Sequence, residues 1–243
     1  MLKLNHPLVQ LIRRNVRARG FDIVWYRPLN RLLAHHGIDL VLDGGANIGQ
    51  YASELRRQGY QGRIVSFEPQ PPVFQDLQKA ARADGNWTAR NIGLGDVEGE
   101  LAMNICASSD CGSLLKPVAG LTPGSEVVRQ QMVPVRRLDL LWNELCRPGE
   151  KVFLKLDVQG YEKKILAGAG ACLDQVVGVQ LEMSLVPLYE AQPNWEEMLQ
   201  LMRQKGFALW KIETGSRDPV TGRESELDGI FFRSGATGAA APA

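Results

Sequence analysis

DGGANIGQ, residues 43–50, follows directly on the apolar run Leu40, Val41, Leu42. Three glycines and an asparagine make a poor helix and a poor strand, so the stretch marks the turn where one strand hands over to one helix. Such a turn lets a ligand approach backbone amides closely, and the helix that follows adds partial positive charge at its N-terminus. An aspartate stands in front of the glycines, and its charge limits which ligands fit.

Outward from this turn the chain alternates short β-type runs with helical stretches. LVLD (40–43) leads into a helix from Asn47, and RIVSFE (63–68) into one opened by Pro71 and Pro72 with the apolar stripe Val73, Phe74, Leu77, Ala80, Ala81. TARNIGLG (88–95) reads as a third strand, followed by a long polar segment, 106–132, of the kind that forms a lid or binding loop. KVFLKLD (151–157) and VVGVQLE (176–182) are strands four and five, with a helix over Tyr161–Leu173 between them. Trp195, Met198, Leu199 and Met202 mark another helix. FALWKI (207–212) and LDGIFFR (227–233) leave no room for a helix, so they form a hairpin whose final strand is antiparallel. This pattern is an α/β protein with a mostly parallel, Rossmann-like sheet flanked by helices. Apolar positions Leu8, Leu11, Ile12, Val16, Leu29, Leu32 and Leu33 make residues 1–36 an N-terminal helical cap. Residues 37–233 form one domain, and the small residues of 234–243 read as a disordered tail.

With 243 residues, 44% of them hydrophobic, and a net charge of +1, the chain can bury one large core and has no general attraction for nucleic acid or anionic membrane. No apolar run is long enough to span a bilayer. Cys106, Cys111, Cys146 and Cys172 show no metal-ligand spacing and suit reduced thiols in a cytoplasmic protein. Small-molecule chemistry fits this balance.

A dinucleotide site wants G-x-G-x-x-G, but the matching frame here is Gly44, Gly45, Ala46, Asn47, Ile48, Gly49, without the middle glycine. Asp43 would also repel a pyrophosphate while suiting a cation. Glu68, before Pro69 at the end of the second strand, can accept from both hydroxyls of a ribose. A ribose beside a cation, with no phosphate, describes S-adenosylmethionine. Plain structural roles compete: Asp43 as a helix cap and Glu68 as a solvated strand end.

VLDGGANIGQYASELRRQGY (41–60), IVSFEPQPPVFQDL (64–77), NIGLGD (91–96), VRRLDLL (135–141), FLKLDVQGYEKKILAGA (153–169), VQLEMSLVPLYE (179–190) and DGIFFR (228–233), in this order, resemble the FkbM family of S-adenosylmethionine-dependent methyltransferases. The resemblance covers roughly residues 20–233. It implies the class I methyltransferase fold, a seven-stranded sheet of order 3-2-1-4-5-7-6, and O-methylation of a hydroxyl on a natural product, sugar or lipid precursor. By resemblance Asp43, Gly44, Gly45, Asn47 and Gly49 form the donor-binding first motif, and Glu68 with Pro69 the ribose contact. The adenine would be met within Asn91–Asp96, by Asn91 or by Asp96. Asp157 would stand beside the transferred methyl.

Asp43, Glu68, Asp157 and Glu182 all close strands, on the side where open parallel sheets bind ligands. His6, His35 and His36 precede the first strand, so the candidate base is Asp157, with Glu182 and Lys155 as neighbours able to tune it. Strand alternation puts Lys155 and Asp157 on one side, where they can also form a simple ion pair. Asp157 and Glu182 are too few oxygen ligands to predict Mg2+. The loop Glu213–Glu226, the segment around Ser108, Ser109 and Ser113, Tyr161 and the cap would select the acceptor. Rival readings are an NAD-dependent oxidoreductase on a related sheet, a non-catalytic nucleotide-binding protein, and, more remotely, a nucleic-acid methyltransferase. Neither acceptor nor oligomeric state is legible.

Overall fold

The computed structural model describes residues 7–19, 28–121, 124–218 and 221–235. Parts of the expected cap (1–6, 20–27) and most of the expected tail (236–243) lie outside the described residues. In chain order the elements are α1 (Pro7–Arg17), α2 (Asn30–His36), β1 (Leu40–Gly44), α3 (Gln50–Arg57), β2 (Arg63–Phe67), α4 (Pro71–Arg82), β3 (Trp87–Arg90), β4 (Gly93–Gly95), β5 (Gly99–Cys106) and β6 (Val127–Arg137). There follow α5 (Leu138–Leu145), β7 (Val152–Leu156), α6 (Glu162–Ala169), β8 (Val176–Ser184), α7 (Trp195–Gln204), β9 (Phe207–Thr214) and β10 (Glu226–Arg233).

β1 and β7 are buried at every position, as the central strands of a sheet covered on both faces must be. Their side chains alternate between two cores. Leu40, Leu42, Leu154 and Leu156 pack with α5, α6 and α7, while Val41 and Phe153 pack with α2, α3 and α4. The main sheet has seven strands in the order β3-β2-β1-β7-β8-β10-β9. Numbered among themselves, these are 3-2-1-4-5-7-6, and β10 is antiparallel to both neighbours. Helix starts follow local chemistry: prolines open α4, and Asn194 with Glu197 forms a capping box on α7. Among the described residues no helix is long and apolar enough to cross a membrane.

Two expectations need correction. TARNIGLG is not one strand, because the chain leaves the main sheet after Arg90 and re-enters a different one at Gly93. The segment 106–132 is not all loop: β4, β6 and β5 form a second, three-stranded sheet, with a β5–β6 hairpin closing over the first. The N-terminal ends of β5 and β6 are exposed and mix apolar with polar residues, which hides the strand pattern. In the N-terminal segment α2 buries Leu33 and His36, with His36 stacked on Phe232 at 3.7 Å, whereas Leu11 and Ile12 of α1 are largely exposed.

The second sheet meets the first through α6 and β4, where a Cβ on Gly168 would lie 1.9 Å from the carbonyl oxygen of Gly95. Alanine is intrinsically better in a helix by about 1 kcal/mol, but forcing atoms into a packed contact costs typically about 1–3 kcal/mol or more. Gly168→Ala is therefore expected to lower Tm by on the order of 2–8 °C in thermal unfolding. Gly85→Ala, which meets nothing within 4 Å, serves as the neutral control.

Candidate active site

The turn after β1 is held shut by its neighbours. The amides of Gly45 and Ala46 both donate to the carbonyl of Phe67, at 3.1 and 3.0 Å, and the amide of Asp157 donates to Gly44 at 3.2 Å. Gly45 has φ +73°, and a Cβ there would fall 1.8 Å from the carbonyl oxygen of Asp157. Only glycine allows β1 and β7 to end this close together. Asn47, also left-handed at φ 47°, turns towards a cavity of about 350 Å3 at the carboxyl ends of the strands.

Glu68 stands at the edge of this cavity and is 4% exposed. Its Oε2 accepts from the amide of Asn47 at 3.0 Å and its Oε1 from the amide of Gln70 at 2.8 Å. Each oxygen keeps a second lone pair for a ligand. Burial pushes its pKa up to about 7, against the lowering effect of those two amides. The Oδ1 of Asn47 is buried and has no partner in the protein, a vacancy that a ligand donor would fill.

Behind the wall lies a buried ion cluster. Lys155 Nζ sits 3.3 Å from Asp43 Oδ1, 3.4 Å from Asp157 Oδ2 and 3.2 Å from the carbonyl of Gly45, to which it donates. Asp43 is fully buried, and its Oδ2 accepts from the hydroxyl of Ser66 at 2.8 Å. Burial alone would lower the Lys155 pKa, but the carboxylates of Asp157 and Asp43 override it and hold the ammonium above its ordinary value. Burial likewise works to raise Asp157, and Lys155 with hydrogen bonds from Gln159 and Glu182 brings it below the usual carboxylate range. Glu182 goes the other way: burial, Asp157 and Glu226 push it well up.

Asp157, Glu182, Gly45, Asn47, Glu68 and Pro69 thus meet at one cavity. Asp43 and Lys155 support it from behind. Gly44 and Gly49 shape the turn, Gly49 as the N-cap of α3 at φ +93°. Asn91 donates to the carbonyls of Glu68 and Pro69, at 2.9 and 3.2 Å, and Asp96 is bound by Tyr161 and Lys164 at 3.3 and 3.0 Å. Neither lines the cavity, whereas Tyr161 does. Among the described residues no three of His, Cys, Asp or Glu come together in a way that could hold a metal ion.

Sequence reasoning missed Gln159 and named Glu226 only as the end of an acceptor-selecting loop. Gln159, left-handed at φ 57°, donates from Nε2 to Asp157 Oδ1 at 3.0 Å and Glu182 Oε2 at 2.8 Å, and its Oε1 accepts from the Tyr189 hydroxyl at 2.6 Å. Its turn is stapled by Glu162, which accepts from the amides of Val158 and Gly160. Glu at 162, two residues after Gly160, was the available signal. Above the cavity, Ser113 donates to the carbonyl of Gln159 at 2.7 Å and Tyr189 to that of Cys111 at 3.1 Å, so the segment Ser108–Ser113 is fastened as a roof.

The model of the methyltransferase FkbM domain matches residues 43–209. Methyltransferase 1 of Beauveria bassiana is 26% identical over 186 residues, 70% of this chain and 72% of that protein. The AMB antimetabolite synthetase AmbE of Pseudomonas aeruginosa is 26% identical over 208 residues, 81% of this chain, which spans only 9% of AmbE. Among solved structures, magnesium protoporphyrin IX methyltransferase of Synechocystis PCC 6803 with bound SAM has 13% identity and a TM-score of 0.48, over 96% of this chain and 86% of that one. Aeropyrum pernix fibrillarin with natively bound S-adenosyl-L-methionine has 13% identity and a TM-score of 0.43, over 79% and 66%.

The Glu68 environment has a pH signature. Its folded pKa lies above the unfolded value, so the proton is held more tightly in the fold; the associated stability is full below about 4.5 and is lost as pH rises through about 7. Glu68→Gln removes this titration. The Tm difference, variant minus parent, should therefore move in the variant's favour between pH 5 and pH 8, by an equivalent of up to about 3 kcal/mol. A difference independent of pH would show that Glu68 does not titrate in this window.

Proposed function

As the chain belongs to the FkbM methyltransferase family, we propose that it uses S-adenosylmethionine to methylate a hydroxyl of a natural product, sugar or lipid-type small molecule. The observation that carries this reading is the charge of the cavity. Its described lining contains Glu68, Asp110, Asp157, Glu182 and Glu226 and no lysine or arginine. Such a wall favours a sulfonium and an ammonium and disfavours a pyrophosphate or a nucleic-acid backbone, which speaks against NAD and against a nucleic-acid acceptor.

The residues present fit the donor. Glu68 offers one lone pair on each oxygen to the two ribose hydroxyls, and the unpartnered Asn47 Oδ1 accepts from the ammonium group. The bound donor supplies an already activated methyl group. What remains for the protein is to orient the acceptor oxygen and take its proton. Asp157, held ionised by Lys155, is a weak base and acts as a fixed negative charge. Glu182, with its raised pKa, is the stronger base once ionised, and Gln159 holds the two carboxyl groups in place by bonding both. The free thiols Cys106, Cys111, Cys146 and Cys172 suit a reducing compartment, and we place the protein in the cytoplasm.

Titration calorimetry with S-adenosylhomocysteine and with NADH tests the assignment. S-adenosylhomocysteine is expected to bind the parent protein, and Glu68→Ala to weaken it about 10- to 100-fold, the range for hydrogen bonds to a charged group. Binding of NADH in its place would make the oxidoreductase reading the better one. Binding of neither would reduce the glycine turn to a structural role.

A further inference from the structure

The donor accounts for Glu68 and Asn47, and Lys155 accounts for Asp157, yet among the remaining acids of the cavity wall Glu226 keeps a buried oxygen without a partner. Glu226 opens β10 and is only 5% exposed, and its Oε1 has no hydrogen-bond partner in the protein. The register sets Asp228 opposite Glu182 and Glu226 opposite Ser184. Alternation therefore places Glu226, Asp228, Glu182 and Ser184 on one face of the sheet, beneath the roof segment. Burial raises the pKa of Glu226, a hydrogen bond from Ser216 works against the rise, and Asp157 and Asp228 add to it. No basic side chain of the described lining answers these acids. A buried carboxyl oxygen without a partner is costly, and a binding site for a cation is one structure that retains it.

We infer that Glu226 and Glu182 form a subsite for a cationic group of the acceptor, a protonated amine carried on the same small molecule as the hydroxyl that is methylated. This rests on the methyltransferase reading given above and narrows its acceptor class. A metal ion is the poorer occupant, since the described carboxylates do not converge on one point as metal ligands do. An ammonium needs only two or three acceptors spread around it, and Glu226 Oε1, the Glu182 carboxyl and the hydroxyl of Ser216 on the same cavity provide them.

The test uses the full chain loaded with S-adenosylhomocysteine and three probes of one shape and different charge: glucosamine, glucose and glucuronate, followed by saturation-transfer NMR. Glucosamine is expected to bind at least about 10-fold more tightly than glucose, and glucuronate more weakly than either, the contrast expected when a charge-assisted bond is made or opposed. In Glu226→Gln the preference for glucosamine should fall to nearly that for glucose, while the circular dichroism spectrum and a cooperative melt show that the variant is folded. Equal binding of glucosamine and glucose by the parent would overturn the inference, as would a Glu226→Gln variant that loses S-adenosylhomocysteine but keeps the amine preference. If Glu226→Gln does not fold, the order of the three probes on the parent decides alone. If the parent does not bind S-adenosylhomocysteine, the methyltransferase reading fails, and the same titration on the unloaded chain still reports whether the subsite selects an amine.

Discussion

The buried ammonium of Lys155 is the interaction on which the rest of the site depends. It lies where β1 and β7 end together, within 3.4 Å of carboxylate oxygens from Asp43 and Asp157. A charge taken this far from water is tolerable only when paired, and removing one partner of such a pair typically costs about 3–5 kcal/mol. The cluster therefore fixes the separation of the two strands. It also holds Asp157 ionised, and that negative charge helps raise the carboxyl groups of Glu182, Glu226 and Asp228. Burial is the larger cause of that rise, and Asp157, held ionised by the cation behind the wall, adds to it.

The cavity divides into parts with separate origins. The side next to β1 and β2 is backbone geometry: a glycine turn, a left-handed asparagine, and a glutamate held by two amides. The far side is made of side chains on β8 and β10 and is roofed by a segment between β5 and β6. Gln159 joins the two, reaching the carboxyl groups of Asp157 and Glu182 and, through Tyr189, the roof. A change in the roof can therefore be felt at Asp157 and Glu182 without any movement of the main sheet.

Much of this was legible in the sequence because parallel strands leave a strong signal. Short, mostly apolar runs ending in Asp43, Glu68, Asp157 and Glu182 located the strand ends and so the cavity, and alternation put Lys155 beside Asp157. The second sheet was not legible, since β5 and β6 are exposed at one end and their polar residues look like loop. Nor does sequence alone show that Asp43 is turned away from the cavity towards Lys155. The roles of Gln159 and Glu226 were invisible for a related reason: a glutamine in a turn and a glutamate before a strand are ordinary until their partners, or the lack of one, can be seen.

The pairing of Asp43 with Lys155 also bears on the order in which the chain assembles. β1, β2 and β3 are contiguous and can associate early, but the strand that completes the centre of the sheet comes far later: Lys155 bonds to the carbonyl of Gly44 from 111 positions away. Contacts this distant in sequence close slowly. During synthesis at the ribosome, the first three strands hold Asp43 at a site that is sealed from water in the finished fold, with no ammonium yet to meet it. The ion pair that offsets the burial of Asp43 can form only once β7 has paired with β1.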